Sequence, residues 1–129
     1  NTERRGELER QIVDLAGFDF RSGTGSREHM AAISALSTTI RPGATIVVTG
    51  YTDRIGDDEA NRALSLERAE WVAGRIREAL AGREIGAVEV RARGEGLARN
   101  RFSNDTPEGR ILSRGVQVIV EQVIAPSGQ

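Results

Sequence analysis

The 129-residue sequence predicts an α/β fold, of the α+β two-layer sandwich type: a βαβαββ order, a mixed four-stranded sheet, and helices on one face. Three observations carry this reading. Ala44 to Tyr51 is short, β-branched and apolar, which suits a buried central strand. Two stretches with helical apolar spacing flank it: Met30, Ile33, Leu36, Ser37 and Ile40 before, and Leu66, Ala69, Val72, Ala73, Ile76 and Leu80 after. Finally, Val88, Val90 and Ala92 alternate with Glu89, Arg91 and Arg93, and Val116, Val118 and Val120 alternate with Gln117, Ile119 and Glu121, the period of half-buried strands.

Taken in order, Thr2 to Arg10 is highly charged and reads as a helical lead-in or a frayed arm, so residues 1–11 form an N-terminal arm, 12–124 the domain and 125–129 a loose tail. Ile12, Val13 and Leu15, followed by Phe18-Asp19-Phe20, suggest the first strand. Arg21 to Ser26 holds two Gly and two Ser and is a loop, with Ser26 placed to cap a helix from Arg27. Arg41-Pro42-Gly43 stops that helix. Asp57 or Asp58 caps the long second helix, and Gly82 marks its end. Gly94 to Thr106 is a long polar irregular segment of the kind that often carries function, and Pro107-Glu108-Gly109 opens a short helix or turn. Strand–helix–strand units imply right-handed crossovers with parallel pairing, the last hairpin-like connection adding an antiparallel partner.

Hydrophobic residues at 38% and charged residues at 29% fit one soluble globular domain large enough for a single core. A net charge of −1 gives no electrostatic footprint for nucleic acid or an anionic membrane. All 18 basic residues are Arg, which suits bidentate carboxylate recognition, although genomic bias explains the pattern more simply. The absence of Cys excludes disulfides and thiolate metal sites. No apolar run reaches the roughly 18 residues of a membrane span, so this segment is not expected to insert. An initial Asn reads as a processed product or excised domain, with any anchor or export signal outside this segment.

The richest stretch is Thr49-Gly50-Tyr51-Thr52-Asp53, followed by Asn61, Leu64-Ser65 and Arg68-Ala69. Asp53 sits where the central strand ends. Asn61, Leu64 or Ser65, and Arg68 share one face of the following helix, and Arg68 borders its apolar stripe with its stem packed and its fork held. Spacing alone leaves two readings. Asp53 and Arg68 form an internal salt bridge that ties a loop down, or they hold a small zwitterion by its ammonium and carboxylate.

These residues, with Gly94-Glu95 and Asn104-Asp105-Thr106-Pro107-Glu108-Gly109-Arg110, resemble the successive motifs of the OmpA-like C-terminal domain over about Phe18 to Val120. The resemblance implies a βαβαββ fold, no catalysis and no cofactor or metal. It also implies noncovalent binding of peptidoglycan through the diaminopimelate of the stem peptide, in the periplasm or cell envelope, as the wall anchor of a larger parent protein. It assigns Asp53 to the ligand ammonium and Arg68 to its carboxylate, with hydrogen bonds from Thr52 and Asn61 and an edge role for Arg114. Other envelope proteins remain open as partners. Four positions depart from the family pattern: Tyr51 stands where His is usual, Ser113 and Gly115 flank Arg114 where Asn and a second Arg are usual, and Arg21 stands where an acid is common. The alternatives are an envelope interaction module that has lost or altered wall binding, and a muropeptide-processing enzyme.

Other residues favour plainer readings. Asp57-Asp58-Glu59 is capping and dipole complement before it is a metal site. The single His29 is expected on the surface, and nothing fixes Glu95 and Glu108 at a glycosidase separation. Gly94-Glu95-Gly96 lacks the setting of a dinucleotide loop. Trp71 is expected against the N-terminal arm rather than on a sugar, and Arg91, Arg93, Arg99 and Arg101 as a solvated strand face and loop.

Overall fold

A computed structural model describes residues 6–19, 22–52, 57–97 and 114–124. The elements run β1 (Glu7–Leu15), α1 (Arg27–Ser37), β2 (Thr45–Thr52), α2 (Asp58–Arg83), β3 (Glu89–Leu97) and β4 (Val116–Ile124). They form a four-stranded mixed sheet in the order β1-β4-β2-β3 under a layer of two helices. β4 is antiparallel to both β1 and β2, and β2 is parallel to β3.

Two expectations about the sheet are corrected. The charged residues from Glu7 to Arg10 are strand, paired from Glu7↔Ile124 to Leu15↔Val116, so the expected arm boundary at residue 11 falls inside β1. An edge strand has solvent beside it, so charged side chains there need no burial and the charge pattern conceals the strand. Secondly, β4 does not fold back beside β3 as a hairpin. It inserts between β1 and β2, which are therefore parallel in direction but not neighbours.

Local chemistry sets the helix boundaries. Ser26 caps α1 in a reciprocal box: its Oγ accepts from the His29 amide, and His29 Nδ1 accepts from the Ser26 amide. α1 ends at Ser37, and Arg83 of α2 donates to the Ser37 and Ile40 carbonyls just beyond. Asp57 caps α2 by accepting from the Glu59 and Ala60 amides, which accounts for the acidic run as a helix start. Gly82 lies within α2 rather than after it. The C-cap is Glu84, which takes the left-handed conformation at φ 55°.

The core is one cluster. Ile33 and Leu36 of α1 and Ala69, Val72, Ala73, Ile76 and Leu80 of α2 meet Leu15, Ile46, Val48, Val116, Val118 and Val120. The buried stripe of α2 starts at Leu64, whereas Leu66 is 41% exposed. Helix and sheet approach most closely at the upper end of β2. A Cβ on Gly50 would lie 1.8 Å from the Ser65 carbonyl oxygen, and one on Gly94 2.5 Å from the Leu66 nitrogen. Both obstacles are backbone, so only glycine lets the layers touch there. Gly50→Ala is expected to lower stability by at least about 2 kcal/mol through this overpacking, seen as a lower urea midpoint with a two-state slope.

Candidate functional site

Arg68 sits in the third turn of α2 and is wholly buried, at 0% exposure. The expectation of a boundary side chain is thus corrected: it is among the largest fully enclosed residues of the protein. Its guanidinium is held by three backbone carbonyls. Nε donates to Ser22 O at 2.9 Å, Nη1 to Tyr51 O at 2.9 Å and Nη2 to Asp19 O at 2.8 Å. The fork geometry of arginine lets one side chain address three directions in its plane, which an ammonium on a flexible stem does not reproduce. The Phe18 ring adds a cation–π contact, its centroid 5.8 Å from Arg68 Cζ.

The loop that supplies two of those carbonyls is itself locked. Phe18 N–H donates to Arg114 O, and Arg114 Nε donates back to Phe18 O, both at 2.8 Å. Tyr51 N–H donates to Gly115 O at 2.9 Å, which stitches the end of β2 to the start of β4. Phe18 stacks on His29, with centroids 4.3 Å apart and planes 16° apart, and meets Trp71 edge-on at 6.1 Å. His29 is only 7% exposed, and its Nε2 lies 2.6 Å from Ala16 O. With Nδ1 accepting from Ser26, Nε2 is the donor to that carbonyl. The surface placement expected for His29 is therefore wrong. A lone histidine three residues after a capping serine was the sequence signal for it. Trp71 packs against this loop, lying over Gly25 where a Cβ would meet its ring at 2.5 Å.

Thr52, the last residue of β2, is buried at 0% exposure, and its Oγ1 has no hydrogen-bond partner among the described residues. An enclosed hydroxyl without a partner costs about 1–3 kcal/mol, so its retention calls for an explanation. Asn61 is also buried, in the first turn of α2, where its backbone N–H donates to Asp57 O. Seven residues of helix separate it from Arg68, about 10 Å along the axis, so the two share a face without meeting. The structure thus gathers Arg68, Arg114 and Thr52 around the Tyr51 and Phe18 backbones and leaves Asn61 two turns away. Asp53 lies outside the described residues, as do Arg21, Phe20, Ser113, Glu108 and the segment from 98 to 113.

Sequence reasoning missed the carbonyls of Asp19, Ser22 and Tyr51, because a backbone acceptor has no residue signature. Arg91 and Arg93 are solvated as expected and pair with Glu89 and Glu95 along the same strand. Two open grooves, of 310 Å³ beside Met30 and Arg75 and of 430 Å³ beside Gln122 and Arg83, include none of the candidate residues. Among the described residues no cluster of acids and histidine could hold a metal, and no helix is long and apolar enough to cross a membrane.

Comparison with known proteins places this arrangement. A model of the OmpA family matches residues 17–114. The Peptidoglycan-binding protein ArfA of Mycobacterium tuberculosis is 35% identical over 79 residues, 61% of this chain and 23% of that protein. The Outer-membrane lipoprotein YfiB of Pseudomonas aeruginosa is 39% identical over 71 residues, 55% of this chain and 40% of that protein. Among solved structures, the peptidoglycan-associated lipoprotein from Burkholderia pseudomallei superposes with a TM-score of 0.67 at 25% identity, covering 84% of this chain and 89% of that one. The matched stretch spans less than half the length of these two sequence relatives.

Arg68→Ala is expected to orphan three carbonyls and leave a cavity, lowering stability by about 3 kcal/mol or more, measured by urea titration. Arg68→Lys should recover little of that loss, because one ammonium cannot span all three acceptors.

Proposed function

Because this chain belongs to the OmpA family, we propose that it binds peptidoglycan noncovalently through the diaminopimelate of the stem peptide and tethers a larger envelope protein to the cell wall. Asp53 receives the ligand ammonium and Arg68 its carboxylate. Thr52 contributes its hydroxyl, Asn61 a hydrogen bond from the first turn of α2, and Arg114 closes the edge of the site. Binding is recognition without turnover, since two fixed charges of opposite sign match the head of a zwitterion and need no reacting group.

The observation that carries this reading is a permanent cation beside a buried hydroxyl at the end of β2. Arg68 donates to the Tyr51 carbonyl, and the next residue, Thr52, has an enclosed Oγ1 with no hydrogen-bond partner among the described residues.

One observation favours a second reading, an interaction module that keeps the fold without wall binding: Arg68 also works as a structural tie, through all three carbonyl bonds. Calorimetry with a diaminopimelate-containing muropeptide separates the two, since the module gives no heat. A processing enzyme would instead release soluble fragments from purified wall.

Arg68 variants lose stability, so Asp53 and Thr52 give the cleaner tests. Asp53→Asn is expected to abolish co-sedimentation with insoluble peptidoglycan while leaving the thermal midpoint within about 2 °C of the original. Undiminished sedimentation would remove Asp53 from the site. Thr52→Val replaces the orphaned hydroxyl with a methyl of similar shape and should stabilise the ligand-free protein by about 1 kcal/mol in urea. The same change should weaken muropeptide binding in calorimetry about fivefold or more. A stability gain with unchanged affinity would make Thr52 a bystander.

A further inference from the structure

The outward face and outer edge of β1 are not used by the wall site. Strand alternation turns Leu8, Arg10, Ile12 and Asp14 away from the helices, opposite Val123, Glu121, Ile119 and Gln117 of β4. Leu8, Ile12 and Val123 are 70%, 51% and 59% exposed, an apolar group on an open sheet face. β1 is the first strand of the sheet, so its outer row of backbone amides and carbonyls faces no strand among the described residues. The β1–β4 ladder runs through nine consecutive pairs without a register shift, and the strand contains neither Pro nor Gly. A regular edge of this kind lacks the bulges and prolines that discourage edge-to-edge pairing.

We propose that a second copy of this chain pairs antiparallel with β1, about a two-fold axis through Ile12, joining two four-stranded sheets into one of eight strands. In that register Arg10 lies opposite Asp14 of the second copy, Asp14 opposite its Arg10, and Ile12 against its own counterpart. On the helix side Gln11 faces Val13. Opposite charges and apolar pairs directly across an antiparallel ladder are the stabilising combinations. Neighbouring registers lose this match. An axis through Gln11 sets Leu8 against Asp14 and Arg10 against Ile12, and an axis through Arg10 stacks that arginine on itself.

The other edge of the sheet provides the contrast. β3 turns Glu89, Arg91, Arg93 and Glu95 outward, and an axis through Ala92 opposes Glu89 to Glu95 and Arg91 to Arg93. An axis through Arg91 stacks that arginine on itself while setting Glu89 against Arg93, and an axis through Arg93 does the same with Arg91 and Glu95. Each of these three registers of β3 thus leaves at least one pair of like charges opposed, which the Ile12 axis of β1 does not. The inference is independent of which ligand the domain binds.

Sedimentation equilibrium of this chain, up to about 1 mM, tests it. The unaltered protein should show a monomer–dimer equilibrium, whereas Asp14→Arg and Arg10→Asp should each dissociate at least about tenfold more readily. Mixed in equal amounts, these two variants should restore the dimer, because each charge then meets its opposite across the axis. Ile12→Thr keeps a β-branched residue at a half-exposed position and should weaken the dimer without altering charge. A protein that stays monomeric throughout overturns the proposal. So does a dimer indifferent to Ile12→Thr, or a variant mixture that remains monomeric while each variant keeps its melting transition.

Discussion

The enclosure of one guanidinium organises the upper end of this domain. Arg68 comes from the helical layer, and its acceptors come from the loop after β1 and from the end of β2. A buried cation is costly unless hydrogen-bond acceptors or a counter-charge replace the water it has lost. Those carbonyl dipoles are backbone, fixed in place by the chain path. The requirement therefore runs in both directions: the loop holds the arginine, and the arginine fixes the loop. Phe18 completes the arrangement from the ring side, with His29 stacked behind it and Trp71 at its edge.

A second set of bonds closes the circuit between parts of the chain far apart in sequence. Arg114 and Phe18 exchange two hydrogen bonds across 96 residues, and Tyr51 reaches Gly115. At the opposite end of the sheet, the side chain of Gln122 does comparable work, accepting from the Arg41 amide and donating to Thr39 O. Each end of the molecule is thus sealed by a buried polar side chain that binds backbone. The apolar cluster between them supplies most of the burial.

Much of this was legible in the residues. Ser26 and Asp57 announce their helices because a capping oxygen sits before a periodic apolar run, and β2 and β4 announce themselves by β-branched composition. β1 was half hidden, since Glu7, Glu9 and Arg10 on an edge strand imitate a solvated arm. The position of β4 between β1 and β2 was not legible, because strand order depends on contacts more than 60 residues apart in the chain, such as Ile46 with Val120. Arg68 was visible as a candidate partner for an anion through the motif that it completes. Its structural share was not visible, because carbonyl acceptors belong to no residue type. Thr52 was legible as a candidate only by its neighbours, and the missing bond of its hydroxyl among the described residues is a property of the folded state.

The register of the sheet also fixes how the domain bears a pull. Glu7 is paired with Ile124 and Thr45 with Glu121 at one end, while Thr52 and the arginine cradle lie at the other. Tension applied at residue 7 and resisted at Thr52 therefore runs along the strands and passes from β1 to β2 through β4. The ladder bonds lie across that direction, so the nine rungs between β1 and β4 are loaded together in shear and do not open one after another from an end. Under such a pull the sheet fails by sliding a whole strand, the mode in which hydrogen bonds resist force collectively.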